Sequence, residues 1–519
     1  MKSLGKMIMA AGAFVAIAVS CNNDEIKIIT PPDVADLTGV DASYERGLHE
    51  YLEIAPSVEF IGYTEENKDS VKYEWSINYQ TVCTDSVLTY KCDALGTFNG
   101  YLKVETSTGA KIADFSLVVT SPYDKGLLLL SGTSEGSMLT WKRLDKMETP
   151  ASPYAFRDNN PTLELGKTPL ALSWHGNALT NLVSKTNTKV QYKDADLEIL
   201  LTTGDPVKMY ALDSKTLQVR NELQFDGSGN FSPSAILVPY GFQNVMWNNS
   251  TYFIGNGKEW GLSDERSFIA SEDLTDDLSV SDICCSMITD NSDMIKVYYD
   301  MNSRTLQYVS GLMGNQPGSK VFNINAPMYM SGSDGIYREA SSNCRYEATK
   351  LIFVGNDGSN VYVYSIMPSD IAMDETIEKE ISGNGHIAPE SAVAVHPIQP
   401  VLYYSNKNEI SRLNYDGENF DSQAYITLDG NYIVKQMAFN NYDADKIFIA
   451  AENLDENDEM KASLFIYDIS DKTAAKLLFK EDRVGGSVKS LIYKGNGYEW
   501  EDNAANSEAS SLSRLFRRK

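Results

Sequence analysis

Leu351-Ile-Phe-Val354 leads into the turn Gly355-Asn-Asp-Gly358 and then into Val361-Tyr-Val-Tyr364. An apolar strand, a polar turn and an alternating second strand together predict a β-hairpin. The pattern returns twice, in Val401–Leu413 and in Ile447–Tyr467, with starts 50 and 46 residues apart. A repeat of this length that contains strands and no helix is typical of a β-propeller blade.

Four similar hairpins are predicted upstream, which gives seven blades, with six or eight left open. Their starts lie about 46 to 56 residues apart, except for a first gap of about 70 that holds the Pro-containing loop Lys146–Pro161. We therefore predict an all-β chain whose larger part, residues 123–500, is a β-propeller. The four hairpins are Gly126–Leu130 with Ser137–Trp141, Leu197–Leu201 with Lys208–Leu212, Val245–Trp247 with Thr251–Ile254, and Ile295–Tyr298 with Leu306–Val309.

Residues 39–122 have a different rhythm of short alternating strands and turns. Trp75 lies in the alternating strand Tyr73–Ile77 and is the natural core residue of this region. About 90 residues with this pattern predict an immunoglobulin-like β-sandwich. At the other end of the chain, the polar residues 501–519 predict a flexible tail.

The first twenty residues have the profile of a lipoprotein signal peptide. Met1–Lys6 is basic, and Met7–Val19 is apolar but short for a membrane span. The following Ala18-Val-Ser-Cys21 resembles a bacterial lipobox, which implies cleavage before Cys21 and a lipid on its sulfur. An ordinary secretory signal is the alternative.

The acidic run Asn22-Asn-Asp-Glu25 resembles the signal that sends lipoproteins of the Bacteroidetes to the outer cell face, and a plain solvated linker over 21–38 is the alternative.

Four features of the sandwich region carry a family resemblance: Tyr73-Glu-Trp75, Gly100-Tyr-Leu-Lys-Val104, Gly109 and the exit Ser121-Pro-Tyr-Asp-Lys-Gly126. Together they resemble the PKD-like domain of Bacteroidetes surface lipoproteins, in which a propeller-like remainder follows the sandwich. The resemblance implies an outer-membrane, cell-surface protein that associates with a SusC/SusD-type uptake complex and captures a glycan or a peptide. It identifies no catalytic residue. No other stretch could cross a membrane, so the N-terminal lipid is the expected anchor.

Composition narrows the functional classes. The 71 acidic residues against 45 basic ones give a formal charge of −26, which argues against a nucleic-acid partner because phosphate binding needs a basic surface. The chain has four His and no HExxH, P-loop or nucleophile-elbow motif, so we expect no enzyme activity, metal or cofactor.

His386 and His396 are expected as turn or partly buried residues, and Asp455–Glu459 as a solvated turn. A disulfide between Cys83 and Cys92 is possible in an exported chain.

Aromatic and basic residues on predicted loops are the candidates for ligand contact. Flat rings bind sugar faces and peptide side chains, but they also fill the gaps between blades, so core packing is the alternative for each Trp. The candidates lie beside Gly and polar turns or on the long loop: Trp174, His175, Trp260, Tyr154, Phe156 and Arg157.

These observations favour a surface-exposed lipoprotein that is the accessory binding component of a SusC/SusD-type nutrient uptake system. A propeller-type polysaccharide hydrolase or lyase is the first alternative, since some sugar-cleaving enzymes are propellers. An adhesion or scaffold lipoprotein, with the sandwich as a spacer, is the second.

Overall fold

A computed structural model divides the chain into two compact units, and the boundary in the sequence lies between Thr120 and Ser121. The predicted boundary lies two residues later. The structure describes residues 32–64, 67–175, 198–222, 224–225, 235–237, 244–247, 252–255, 267–270, 280–288, 294–310, 316–323, 328–333, 351–357, 360–366, 379–381, 387–388, 390–417, 419–421, 423–440 and 444–496.

The described part of the first unit consists almost entirely of strands. Five of them form one sheet in the order β2-β9-β8-β5-β6, and β1-β4 and β3-β7 form two-stranded sheets. The elements are β1 (Asp33–Thr38), β2 (Ser43–Gly47), β3 (Tyr51–Ile54), β4 (Ser57–Ile61), a 3₁₀ turn (Lys68–Ser70), β5 (Lys72–Ile77), β6 (Gln80–Cys83), β7 (Leu88–Lys91), β8 (Gly96–Glu105) and β9 (Ala110–Thr120).

Trp75 occupies the core of this unit, as its sequence position predicts. The side chain is fully buried, and its ring meets Phe115 edge-on at a centroid distance of 6.3 Å. The indole N–H donates a hydrogen bond of 3.0 Å to the carbonyl of Asp85, so the polar atom of the ring is satisfied inside the core. Gly100 makes room for Phe115, because a Cβ at Gly100 would lie 2.3 Å from a ring carbon.

Two features of the first unit differ from the prediction. Residues 33–38, assigned to the linker, form β1 and pair with β4, because Val34 is buried in the core. Cys83 and Cys92 are free thiols. Cys83 lies on β6 of the five-stranded sheet, whereas Cys92 follows β7 of another sheet and is fully buried. Burial raises the pKa of the Cys92 thiol.

The described strands of the second unit form seven sheets, numbered here in chain order. Among the described residues no helix is long and apolar enough for a membrane span. The elements are β10 (Gly126–Thr133), β11 (Gly136–Arg143) and α1 (Ala155–Asn159), which accompany sheet 1; β12 (Thr168–His175), β13 (Glu198–Gly204), β14 (Lys208–Asp213) and β15 (Val219–Glu222) in sheet 2; β16 (Gln224–Phe225), β17 (Ala235–Leu237), β18 (Asn244–Trp247), β19 (Tyr252–Gly255) and β20 (Ser267–Ala270) in sheet 3.

Sheets 4, 5 and 7 have four strands and sheet 6 has five, and the last described strand, β38, pairs in sheet 1. The elements are β21 (Val280–Ile288), β22 (Met294–Asp300), β23 (Thr305–Ser310) and β24 (Gln316–Asn323) in sheet 4; β25 (Met328–Ser333), β26 (Leu351–Asn356), β27 (Val361–Ile366) and β28 (Lys379–Ile381) in sheet 5; β29 (Val393–Val395), β30 (Val401–Asn406), β31 (Glu409–Asn414), β32 (Asn419–Phe420) and β33 (Ile426–Thr427) in sheet 6; β34 (Tyr432–Phe439), β35 (Lys446–Asn453), β36 (Ala462–Asp468) and β37 (Lys476–Gly485) in sheet 7; and β38 (Ser487–Lys494).

The seven hairpins predicted from the sequence are confirmed as antiparallel pairs. In the three-fold repeat, β26 pairs with β27, β30 with β31 and β35 with β36. The four upstream hairpins are the pairs β10-β11, β13-β14, β18-β19 and β22-β23. Paired apolar runs separated by a polar turn are therefore sufficient to locate one hairpin in each sheet.

The two ends of the second unit meet in sheet 1. β38 pairs with β10 along its length, with Leu127 opposite Tyr493 and Leu129 opposite Leu491. One edge strand of each sheet also contacts an edge strand of the next sheet, in the circular order β38, β12, β17, β21, β25, β29, β34 and back to β38. Successive antiparallel sheets whose inner strands meet in a ring have β-propeller character, and the ring removes most free strand edges.

Candidate functional site

The long loop between β11 and β12 is anchored to sheets 1 and 7 before it reaches its candidate residues. The backbone groups of Trp141 and Ser152 exchange two hydrogen bonds of 3.0 and 2.8 Å. The ammonium of Lys142, 1% exposed, donates to the carbonyls of Met147 and Thr149 at 2.9 and 2.6 Å. It also lies 2.8 Å from a carboxylate oxygen of Glu481 on β37.

The short helix α1 continues this anchorage through its buried face. Phe156 is 3% exposed and packs against the Tyr210 ring at a centroid distance of 5.3 Å. The Asn160 side chain donates to the Leu217 carbonyl at 2.9 Å and accepts from the N–H of Val219 at 2.8 Å. Phe156, a predicted ligand contact, is thus a core residue that ties the loop to sheet 2. Ala155 and Asn159 on the same short helix are also buried, so these three residues form its inward face.

Tyr154 and Arg157 are the two predicted loop residues that the structure leaves on the surface. Tyr154 is 38% exposed, and Arg157 is exposed beside it. The guanidinium carbon of Arg157 lies 3.9 Å from the centre of the Tyr154 ring, so the two planar groups are in contact. An aromatic ring under a guanidinium stabilises it by a cation–π interaction. The structure therefore brings these two sequence candidates together on one anchored loop.

Trp174 on β12 packs against the apolar cluster shared by sheets 1 and 2 and is half-buried. The ammonium of Lys494 lies 4.9 Å from its ring centre. This environment is that of the inter-blade residue considered as the alternative to a ligand contact. The side chain of His175 and all of Trp260 lie outside the described residues, as does Cys21.

His396 is a turn residue in a closed environment. It is 2% exposed, and its Nδ1 accepts hydrogen bonds from the N–H groups of Ile398 and Gln399 at 3.2 and 3.1 Å. Burial, assisted by the charge of Lys472, lowers its pKa from 6.5 to about 4 although a hydrogen bond with Ala444 acts in the opposite direction. The ring is therefore neutral at pH 7. His386 lies outside the described residues.

The acidic turn Asp455–Glu459 is held by protein groups. Arg483 pairs with Glu456 and Asp458, and Glu459 accepts the N–H of Ser134 at 2.9 Å. Within the described part of the chain, no group of three His, Cys, Asp or Glu residues is arranged to hold a metal. The turn thus links sheet 7 to sheet 1 through ion pairs and a hydrogen bond.

Sequence reasoning missed two buried lysines. Lys142 and Lys494 are both 1% exposed, and Lys494 donates to the carbonyls of Tyr123, Asp124 and Gly495. Each lies near the end of a strand, Lys142 on β11 and Lys494 on β38, and neither strand has an alternating burial pattern that would single out the lysine. The acceptors lie up to 371 residues away in the chain, so no short motif could identify them.

No protein-family model matches the chain, and no curated protein matches it. Among solved structures, it is similar to a quinoprotein alcohol dehydrogenase-like protein from Bacteroides thetaiotaomicron, with 13% identity over 89% of this chain and 99% of that chain and a TM-score of 0.48. It is similar to the WD40 domain of SCAP from fission yeast, with 13% identity over 62% of this chain and 67% of that one and a TM-score of 0.36. A DUF4623 family protein from Bacteroides eggerthii shows 11% identity over 86% and 80% of the chains and a TM-score of 0.29. These TM-scores are below 0.5, so the propeller character rests on the strand topology.

Proposed function

We propose that this chain is a lipid-anchored protein of the outer cell surface and the accessory binding component of a SusC/SusD-type uptake system that captures a glycan or a peptide. The observation that carries the proposal is Ala18-Val-Ser-Cys21, a lipobox-like ending directly before the acidic run that starts at Asn22. A lipid on Cys21 would hold the sandwich and the propeller at a membrane surface.

The proposed architecture is a PKD-like sandwich followed by a seven-bladed propeller. Support for seven blades comes from the seven described sheets of the second unit and from the circular order of their inner strands. The PKD-like assignment is supported by the core position of Trp75 and by Gly100, whose missing side chain admits the Phe115 ring. Propellers bind ligands through loops that converge on one face, and the anchored loop with Tyr154 and Arg157 supplies exposed groups of the kind that contact ligands.

Lipidation is tested by growing cells with a radiolabelled fatty acid. The natural chain should incorporate the label, and Cys21→Ala should not, because no other residue can take the thioether-linked lipid. Label retained on the Cys21→Ala protein would exclude this anchor.

Surface location and partnership need a separate experiment. Protease added to intact cells should degrade the protein, and replacement of Asp24 and Glu25 by Ala should protect it. Purification from detergent-solubilised membranes should then bring down a SusC/SusD-type pair with the natural chain. If the protein is protected from the outset, or if it purifies alone and cleaves a polysaccharide, the proposed function is wrong and the hydrolase alternative takes its place.

A further inference from the structure

We propose that Arg157, supported by Tyr154, is a binding site for a carboxylate group on the captured ligand. This inference rests on the proposed function, because it names the chemistry of the molecule that the protein captures. The shared chemistry is a carboxylate, whether it belongs to a uronic acid of a glycan or to a peptide.

The first support is the state of the guanidinium. Arg157 is exposed, and its side chain contacts the Tyr154 ring at 3.9 Å. Within the described residues its five N–H donors have no acceptor in the protein. The ring contact is made at the guanidinium carbon, and the N–H donors form the planar fork that can bind both oxygens of a carboxylate.

The second support is the contrast with neighbouring acids. The chain has 71 Asp and Glu residues, and the arginines of the second unit commonly use them: Arg143, Arg220, Arg412 and Arg483 each pair with a carboxylate. Arg157 stands directly before Asp158, yet the Asp158 carboxylate accepts instead from the hydroxyl of Ser152 at 3.4 Å. In the described structure, Arg157 is thus a fixed cation that pairs with none of the carboxylates of this acid-rich protein.

The third support is the rigidity of the platform. The residues on both sides of Tyr154 and Arg157 are fixed by the paired backbone at Ser152, by buried Phe156 and by the two hydrogen bonds of Asn160. In addition, the N–H of Ala151 donates to Glu481 at 2.8 Å. A binding group on such a loop loses little conformational entropy when a ligand arrives, which favours affinity.

A binding experiment on the full mature protein distinguishes the two sources of carboxylate. Oligogalacturonides and acidic peptides serve as probes, each beside its carboxyl-blocked form, the methyl ester or the amide. We expect the protein to bind one acid class and to lose binding when the carboxyl is blocked. Arg157→Gln should weaken that binding about 10- to 100-fold, as the loss of a charged hydrogen-bonding pair does. Arg157→Lys should recover only part of it, because an ammonium lacks the planar fork.

Two further variants separate the site from general effects. Tyr154→Phe keeps the ring and should bind like the natural chain, whereas Tyr154→Ala should lose about two- to fivefold. Arg304→Gln removes the same charge from another exposed position, on the turn after β22, and should change binding little. The exposed Arg157→Gln should also keep the natural melting temperature.

The outcomes distinguish this inference from the function beneath it. Capture of neutral and blocked probes as well as acidic ones, with Arg157→Gln unchanged, would overturn the carboxylate site and leave the binding function standing. Failure to capture any glycan or peptide probe, on cells that display the protein, would overturn both. Equal losses in Arg157→Gln and Arg304→Gln would assign the effect to net charge and reject the site.

Discussion

The two faces of sheet 7 pack in different ways. On β35, Ile447 and Ile449 point toward sheet 6 and join a cluster of apolar side chains. Phe448 and Ala450, on the other face, join the cluster with sheet 1. Glu452 shares that second face and is 5% exposed. One face therefore packs on the preceding sheet in the chain, and the other packs on sheet 1, in which the first and the last described strands of the unit pair.

Buried polar groups concentrate on the second face. The Lys142 ammonium pairs with Glu481, the Thr140 hydroxyl donates to the Val484 carbonyl at 2.7 Å, and Glu452 accepts the N–H of Val488 at 2.9 Å. Apolar contact is non-directional, whereas a buried polar group is satisfied in one alignment only. β37 of sheet 7 leads through Gly486 alone into β38 of sheet 1, and the directional bonds add to this connection in fixing the register of the two sheets. The closing interface therefore has buried polar partners in addition to its apolar cluster.

The largest test of this contrast is removal of β38. A chain that ends at Gly486 loses the strand that pairs with β10 and uncovers Leu127 and Leu129, which are fully buried. We expect loss of cooperative unfolding and aggregation, because an open apolar strand edge recruits other chains. A chain that ends at Asn496 keeps every described strand and should melt like the full protein. Cooperative melting of the shorter chain at the natural temperature would show that sheet 1 does not need β38.

The next test concerns the charge pair of the closing interface. Glu481→Ala leaves the buried Lys142 ammonium without its carboxylate and should cost about 3–5 kcal/mol of unfolding free energy, measured by chemical denaturation. Adding Lys142→Met removes the stranded charge and supplies an apolar chain beside Phe479, whose ring centre lies 4.0 Å from the ammonium. The double variant should therefore be more stable than Glu481→Ala. If it is less stable, the two carbonyl partners of Lys142 matter more than its charge.

The interface of sheets 6 and 7 contains His396, whose ring centre lies 5.2 Å from that of Phe439 with the two rings tilted, and we expect a pH effect from this residue. In the unfolded chain His396 takes up a proton near its ordinary pKa of 6.5, whereas in the folded chain its pKa is lowered to about 4. Protons therefore favour unfolding in that window, and stability should fall by about 3 kcal/mol between pH 6.5 and 4. His396→Asn keeps an acceptor for the N–H groups of Ile398 and Gln399 and should remove this slope. An unchanged slope would assign it to other groups.

Sequence pattern predicted the sheets better than it predicted the closure. Short apolar or alternating runs separated by polar turns located all seven hairpins, and the alternating strand Tyr73–Ile77 located the buried Trp75, because such runs reflect which side chains leave water. The pairing of β38 with β10 joins residues more than 300 positions apart, and local periodicity contains no information about such partners. The circular order follows only when the strands are placed in space.

For the candidate site, the sequence identified the loop and its residue types, but not which of its side chains point outward. Tyr154, Phe156 and Arg157 were predicted as one group, yet a helical turn sends Phe156 inward and leaves the other two outside. Residue type alone cannot decide this, since an aromatic ring suits a core and a ligand equally well. Trp174 is a second example. The sequence left open whether this ring contacts a ligand or packs between blades, and the structure places it half-buried between sheets 1 and 2.

The smallest effect is expected at Glu452, which joins sheet 7 to the start of β38. Burial alone would raise the pKa of this carboxyl, but hydrogen bonds from Lys461, Val488 and Ser487 hold it below its ordinary value. Its contribution to stability is therefore present above the unfolded pKa of about 4.3–4.5 and is lost as the pH falls through the lower folded pKa.

Glu452→Gln keeps an acceptor and removes the charge, and at pH 7 it should lower the unfolding free energy by about 1–2 kcal/mol. The difference between the two proteins should close as the pH falls below about 4. His396 titrates in both proteins, so its effect cancels in the difference and isolates the closing interface. A difference that stays constant down to pH 3 would mean that the charge of Glu452 does not contribute to the stability of the closing interface.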